Sequence, residues 1–124
     1  MDLLPRLPYA EEAYVQQRKL TGYLMDERWR GTPADKVGLV VDVLGFTDPE
    51  MLRSALLDHA RRWPAQLQSR DVLGQIFNVT GPLVGPSGTV VGMVSCWMIG
   101  AGARRPRFIT LMPARRTRGT MPPW

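Results

Sequence analysis

The sequence predicts an α+β domain, with N-terminal helices packed on an antiparallel β-meander of about four strands. Three observations carry this. Up to Pro64 the apolar residues recur mainly at helical spacing; from Leu67 onward they fall in short runs punctuated by glycine and proline; and the two patterns follow one another rather than alternating, which leaves no βαβ unit. At 124 residues with 44% hydrophobic content, the chain is long enough for one core and too short for two ordinary ones. Residues 1–113 are read as the domain and 114–124 as a basic tail, expected to be mobile because its prolines and arginines show little periodicity.

The elements follow in order. Residues 16–25 place Leu20, Tyr23 and Leu24 on a short helical face, and Asp26-Glu27-Arg28-Trp29-Arg30-Gly31-Thr32-Pro33 then breaks it with charge, glycine and proline. In residues 34–44, Val37, Val40, Val41 and Leu44 fit helical spacing, although the β-branched content also suits a strand; Gly45 as a stop and the cap that follows favour the helix. Thr47 or Asp48 can cap the next helix, Pro49 fits its first turn, and Glu50 can close a capping box with Thr47. Leu52, Leu56, His59 and Trp63 line one face of that helix until Pro64 ends it. Strands are expected over residues 66–71, 75–80, 89–99 and 107–112, with turns at Gly74, Gly81-Pro82, Gly85-Pro86-Ser87-Gly88 and residues 100–105.

Charge is distributed unevenly. Asp71 is the last carboxylate; the 53 residues beyond it hold six arginines, while residues 1–71 hold ten basic and eleven acidic side chains. Fourteen of the sixteen basic residues are arginine, whose planar fork matches phosphate oxygens in pairs. The split points to an anionic partner, with a nucleic acid the first candidate; an arginine-rich surface that serves only solubility is the plain alternative.

Cysteine and histidine bound the chemistry. The lone Cys96 has no internal disulfide partner, so a reducing, cytoplasmic setting is expected. With one cysteine and one histidine there is no ordinary Cys/His zinc site, and no metal or other cofactor is expected. The longest apolar runs are too short to span a membrane, and no secretion signal opens the chain. The glycine clusters match no phosphate-loop pattern, and no serine sits in a nucleophile-elbow setting.

Among individual residues, His59 shares the apolar stripe of its helix, which favours a structural, hydrogen-bonded histidine; it becomes a candidate general base if that helix faces a cleft. Lys36, with Arg28 and Arg30 nearby, can clamp a phosphate and stabilise charge developing at phosphorus, or can simply be part of a solvated loop. Arg105 and Arg107 add positive charge near the last strand, where the Thr110 hydroxyl can hold a phosphate oxygen. Strict alternation puts Arg107 and Thr110 on opposite faces, with Thr110 beside Phe108 and Met112.

Several stretches occur together in order: Leu7-Pro8-Tyr9-Ala10, Arg18-Lys19-Leu20-Thr21-Gly22-Tyr23-Leu24, Arg30-Gly31, Lys36, Leu44-Gly45-Phe46 and Leu56-Leu57-Asp58-His59-Ala60. Gly81-Pro82-Leu83, Pro86-Ser87-Gly88, Trp97-Met98-Ile99 and Pro106-Arg107-Phe108-Ile109-Thr110 follow. Over residues 7–113 the chain resembles an uncharacterised family of small bacterial domains that end in a pattern like P-R-L-V-T-A-Y-P. Members of that family are similar to the barnase–EndoU–colicin–RelE group of ribonuclease toxins. The resemblance implies metal-independent RNA cleavage by a toxin that a small acidic antitoxin or immunity protein neutralises. By position it assigns Lys36, Arg30 and Thr110 to the polar motif. Two departures stand out: Asp26-Glu27-Arg28-Trp29 replaces an Asn-Pro-x-His-Pro-like stretch, and Thr110-Leu111-Met112-Pro113 lacks the closing tyrosine. The alternatives are a catalytically silent basic domain that binds RNA or a protein, and an interaction domain with no nucleic acid. Self-association is left open.

Overall fold

A computed structural model describes residues 4–114, so all but the first residue of the basic tail lies outside the described residues. The chain enters as an extended segment that buries Leu7, Ala10, Ala13 and Val15, with a single 3-10 turn at Ala10–Glu12. Helix α1 (Gln17–Lys19) widens at once into a π-helical segment, Leu20–Leu24, where the Met25 N–H donates to the Leu20 carbonyl at 2.9 Å. Leu20 and Leu24 are fully buried, four positions apart on its inner side.

The charged breaker is an ordered turn. Asp26 caps the 3-10 segment Glu27–Trp29 by accepting the Arg28 N–H at 3.0 Å, and Asp35 accepts the N–H groups of Gly31 and Val37, each at 2.8 Å. The helix expected over residues 34–44 is present as a π-helical segment, Gly38–Val43, and Gly45 ends it in the left-handed region at φ 84°.

Helix α2 (Pro49–Arg62) begins where the sequence places it. Of the two candidate caps it uses Asp48, whose carboxylate accepts the Glu50 N–H at 2.9 Å, a contact worth about 1 kcal/mol. Leu52, Leu56, His59 and Ala60 form its buried face.

Four antiparallel strands follow in the order β1-β2-β3-β4: β1 (Ala65–Asp71), β2 (Gly74–Val84), β3 (Val90–Gly100) and β4 (Arg107–Pro113). The turn expected at Gly81-Pro82 is absent, and β2 runs straight through it with Pro82 opposite Gly92. The physical reason is local. The β1 ladder stops at Ala65 opposite Val79, so beyond that point β2 is a free edge, where a proline without an N–H interrupts no ladder. Gly81 is required for another reason: a Cβ there would lie 2.3 Å from the Trp63 ring that crosses it.

One face of the sheet carries Phe77, Val79, Leu83, Met93, Trp97, Phe108 and Leu111 into the core against α2 and the π-helical segments. Trp97 and Phe108 meet edge to face with centroids 5.4 Å apart. The expected alternation in β4 fails. Trp97 pairs with Phe108 but the adjacent Cys96 pairs with Thr110, so Ile109 is an extra residue forming a bulge. Phe108 and Leu111 therefore share the core face. Thr110 and Arg107, opposite Cys96 and Met98 on one face of β3, share the other. The edge of β4 is met by Tyr14, whose N–H donates to Pro106 O and whose carbonyl accepts the Phe108 N–H, each at 3.0 Å. Among the described residues no helix is long and apolar enough to cross a membrane.

Candidate functional site

The β4 bulge has a chemical consequence. It turns Thr110 toward the segment that follows α1, where the Tyr23 hydroxyl lies 3.0 Å from Thr110 Oγ1. Around this pair opens a cleft of about 410 Å3 lined by Arg18, Lys19, Gly22, Tyr23, Trp29, Ile109 and Thr110. Lys19 and Tyr23 are four apart on the same helical face, and the Lys19 ammonium sits 5.6 Å from the centre of the Tyr23 ring. Trp29 meets Tyr23 edge to face at 5.9 Å and fixes its indole by donating Nε1–H to the Gly22 carbonyl at 3.0 Å.

The electrostatics of the cleft are one-sided. Among the described residues no carboxylate pairs with Arg18, Lys19 or Arg107: Arg18 donates to the Gln16 amide oxygen at 2.9 Å, and Arg107 reaches only the Met98 sulfur, at 3.6 Å. The Lys19 pKa is accordingly lowered, first by partial burial and then by repulsion from Arg18 and Arg107. Cys96, opposite Thr110 on β3, is buried, and burial pushes its thiol up. No three His, Cys, Asp or Glu side chains among the described residues converge as a metal site.

The residues singled out by sequence are dispersed. Thr110 lines the cleft, and Arg107 stands beside it on the same face. Arg28 is bound to the Asp26 carboxylate through contacts of 2.6, 3.0 and 3.1 Å. Arg30 is held between Glu27 at 2.6 Å and Asp42 at 2.7 Å, and these hydrogen bonds raise its pKa, Glu27 contributing most. Arg105 donates to the Glu12 carbonyl at 2.9 Å and stacks 4.5 Å over the Tyr14 ring, which fastens the N-terminal segment to the start of β4. Lys36 precedes the segment Gly38–Val43, outside the cleft lining, and its ammonium makes no hydrogen bond or ion pair among the described residues.

His59 is shut into the core. Helix α2 does border a second concavity, of about 300 Å3, yet the ring is 1% exposed and both nitrogens are engaged: Nε2 with the Gly81 carbonyl at 2.9 Å and Nδ1 with Ser95 Oγ at 2.8 Å. The network fixes the tautomer. A carbonyl only accepts, so Nε2 carries the proton; Ser95 then donates to Nδ1 while accepting the Trp97 indole N–H at 2.8 Å. Burial is the main cause that lowers the His59 pKa, and the ring is neutral.

Arg18, Lys19, Tyr23 and Trp29 carried no functional assignment in the sequence. The signal available was the spacing of Lys19 and Tyr23, four apart on one helical face; nothing local to either reports Thr110, 87 positions from Tyr23.

The chain belongs to a family defined as a domain of unknown function, DUF6883, whose model matches residues 6–115. No curated protein matches it. Among solved structures it is similar to one chain of a contact-dependent growth inhibition toxin–immunity protein complex from Klebsiella pneumoniae 342. The TM-score is 0.64 at 16% identity, covering 86% of this chain and 97% of that one. At this identity the likeness concerns the fold.

Proposed function

We propose that the domain is a metal-independent ribonuclease of toxin type, working in the cytoplasm of a target or host cell and neutralised by a small acidic antitoxin or immunity protein. A fold shared with one chain of a toxin–immunity complex suits either half of such a pair. Charge favours the toxic half: Arg18 and Lys19 line the cleft, Arg107 is close enough to repel Lys19, and among the described residues none of the three pairs with a carboxylate; this one observation carries the reading. An acidic partner that covers the cleft would be held by the same charges.

The chemistry follows from the lining. Arg107 and Arg18 hold the scissile phosphate and take up the charge that develops on its oxygens. Lys19, whose pKa is lowered by burial and by its cationic neighbours, is the cleft group that accepts the proton of the ribose 2′-OH. The 2′-oxygen forms its bond to phosphorus, the bond from phosphorus to the 5′-oxygen breaks, and that oxygen takes a proton from the Tyr23–Thr110 hydroxyl pair, which water re-protonates while Lys19 returns its proton to solvent. The products are a 2′,3′-cyclic phosphate and a 5′-hydroxyl. Lys36, whose ammonium makes no hydrogen bond or ion pair among the described residues, contacts a flanking phosphate.

The test is incubation of purified protein with total RNA in EDTA, beside Lys19→Met and Arg107→Ala. Fragmentation by wild type that leaves cyclic phosphate ends, and none by the variants, is expected. Intact RNA with wild type over several salt concentrations would sink the enzymatic reading. A catalytically silent RNA-binding domain is the second reading, favoured by one observation: the chain's single histidine, the residue with the best unperturbed pKa for a base, is locked in the core. Salt-sensitive RNA binding without cleavage would select it.

A further inference from the structure

Trp29 and Gly22 take no part in that chemistry, yet both line the cleft. Trp29 is 38% exposed, and its one polar atom is already used on the Gly22 carbonyl. The exposed part of the indole therefore offers only π and apolar surface. Gly22 raises a complementary question, because glycine within a helical segment is unfavourable without a reason. Its φ is not left-handed, and a Cβ would meet only ordinary contact, Arg18 Cβ at 3.8 Å. Neither backbone nor packing demands glycine here, and Gly22 leaves its part of the cleft wall, which Trp29 also lines, without a side chain. A cleft that is cationic on one side and flat and apolar on the other suits a ligand that is anionic and aromatic at once. Its volume, about 410 Å3, lies within the roughly 300–1,000 Å3 of ordinary ligand clefts.

From this we infer that Trp29 and Gly22 form a subsite for one unpaired base adjoining the phosphate held by Arg18 and Arg107, so that the RNA recognised is single-stranded at that point. The inference rests on the ribonuclease reading and narrows its substrate. A duplex keeps its bases stacked on one another and cannot offer one to the indole, whereas a single strand can. Aromatic stacking tolerates any base, so the subsite selects for strandedness more than for sequence.

Binding of a fluorescent 2′-O-methyl RNA hexanucleotide, which cannot be cut by its own 2′-oxygen, tests this by anisotropy. The same strand annealed to its complement is the second arm, and a nucleoside 3′-monophosphate is the third, as competitor. Wild type is expected to bind the single strand at least about tenfold more tightly than the duplex. Trp29→Ala should lose roughly 5- to 100-fold on the single strand and little on the duplex, with the salt dependence unchanged because no phosphate contact is removed. Trp29→Phe should keep most of the affinity, and Gly22→Leu, which fills the space while leaving the indole, should lose it; far-UV circular dichroism checks the fold of each. Equal binding of both strand forms, or full affinity in Trp29→Ala and Gly22→Leu, overturns the base subsite and leaves the ribonuclease reading standing. A monophosphate that competes as strongly as the hexanucleotide makes this a mononucleotide site and also overturns the inference. Wild type that binds no RNA at all removes both.

Discussion

Two arginine-rich regions of this molecule look alike in sequence and differ completely in the fold. In the turn after the first helical segment, Arg28 and Arg30 are each clasped by carboxylates, from Asp26, Glu27 and Asp42. Near Thr110 on β4, Arg18 and Arg107 both repel Lys19, and among the described residues none of the three pairs with a carboxylate. The first cluster is a structural turn that uses its charge internally. The second has no carboxylate partner among the described residues, and the Lys19 pKa is lowered, first by partial burial and then by repulsion from Arg18 and Arg107. The lesson concerns counting: the number of cations in a stretch says little about anion binding until their partners are known.

The largest expected effect would break or confirm this contrast directly. Lys19→Met and Arg107→Ala should each reduce RNA cleavage by about 10²- to 10³-fold, while Arg28→Ala should stay within roughly twofold of wild type. Initial rates on one RNA at fixed salt check it, and a reversed ranking would move the site to the turn. The pH profile sharpens the point. Activity should rise with pH through an apparent pKa below the ordinary lysine value of 10.5, and Arg107→Ala, by removing a like charge, should move that pKa upward.

A second prediction separates the cleft from the core. His59→Ala strands the Gly81 carbonyl and Ser95 and leaves a cavity, and should cost about 2–4 kcal/mol of stability by urea unfolding. The pH dependence has a definite sign. The folded-state pKa is lowered, so His59 contributes fully while both states are neutral, above about 6.5, and stability falls as pH drops below that value and the unfolded chain gains a proton that the fold refuses. His59→Asn should lose that component.

Smaller effects follow. Gly22→Ala should stabilise the fold by about 0.5–1 kcal/mol in thermal unfolding and at the same time weaken single-strand binding, whereas a purely structural glycine would move both in one direction. The smallest effect belongs to the turn. The Arg28 side chain holds the Asp26 carboxyl below its ordinary value of 3.8, and the Arg30 side chain does the same for Glu27 below 4.5. Stability from these groups is present above those values and fades as pH falls through the lowered ones. A slight flattening of the acid limb of the stability curve in Arg28→Ala is the expected sign.

Much of the fold was legible in the residues. Pro49 behind Asp48, the stripe of Leu52, Leu56 and His59, Gly45 as a stop and the four glycine-punctuated runs all mark local physics: a cap, a period, a left-handed glycine, a turn. Pro82 misled because a proline reads as a turn until it is known that β2 has no β1 neighbour there. In the candidate site Thr110 and Arg107 were legible as residue types, but their relation was inverted, since strict alternation takes no account of the bulge at Ile109. Arg28, Arg30 and Arg105 were phosphate-binding candidates by residue type; each has a partner that the residue type does not report, and for Arg30 and Arg105 that includes one 12 or 93 residues away.

The sequence by itself determined the order and kind of the elements and the excess of arginine over carboxylate beyond Asp71, because helix period, caps and charge are properties of neighbouring residues. Tertiary structure alone decided which cations are neutralised, which face Thr110 takes, and that Lys19, Tyr23 and Trp29 meet it across a cleft. Those outcomes depend on pairings between segments far apart in the chain. One extra residue in a strand register is enough to exchange a core position for one that lines a cleft.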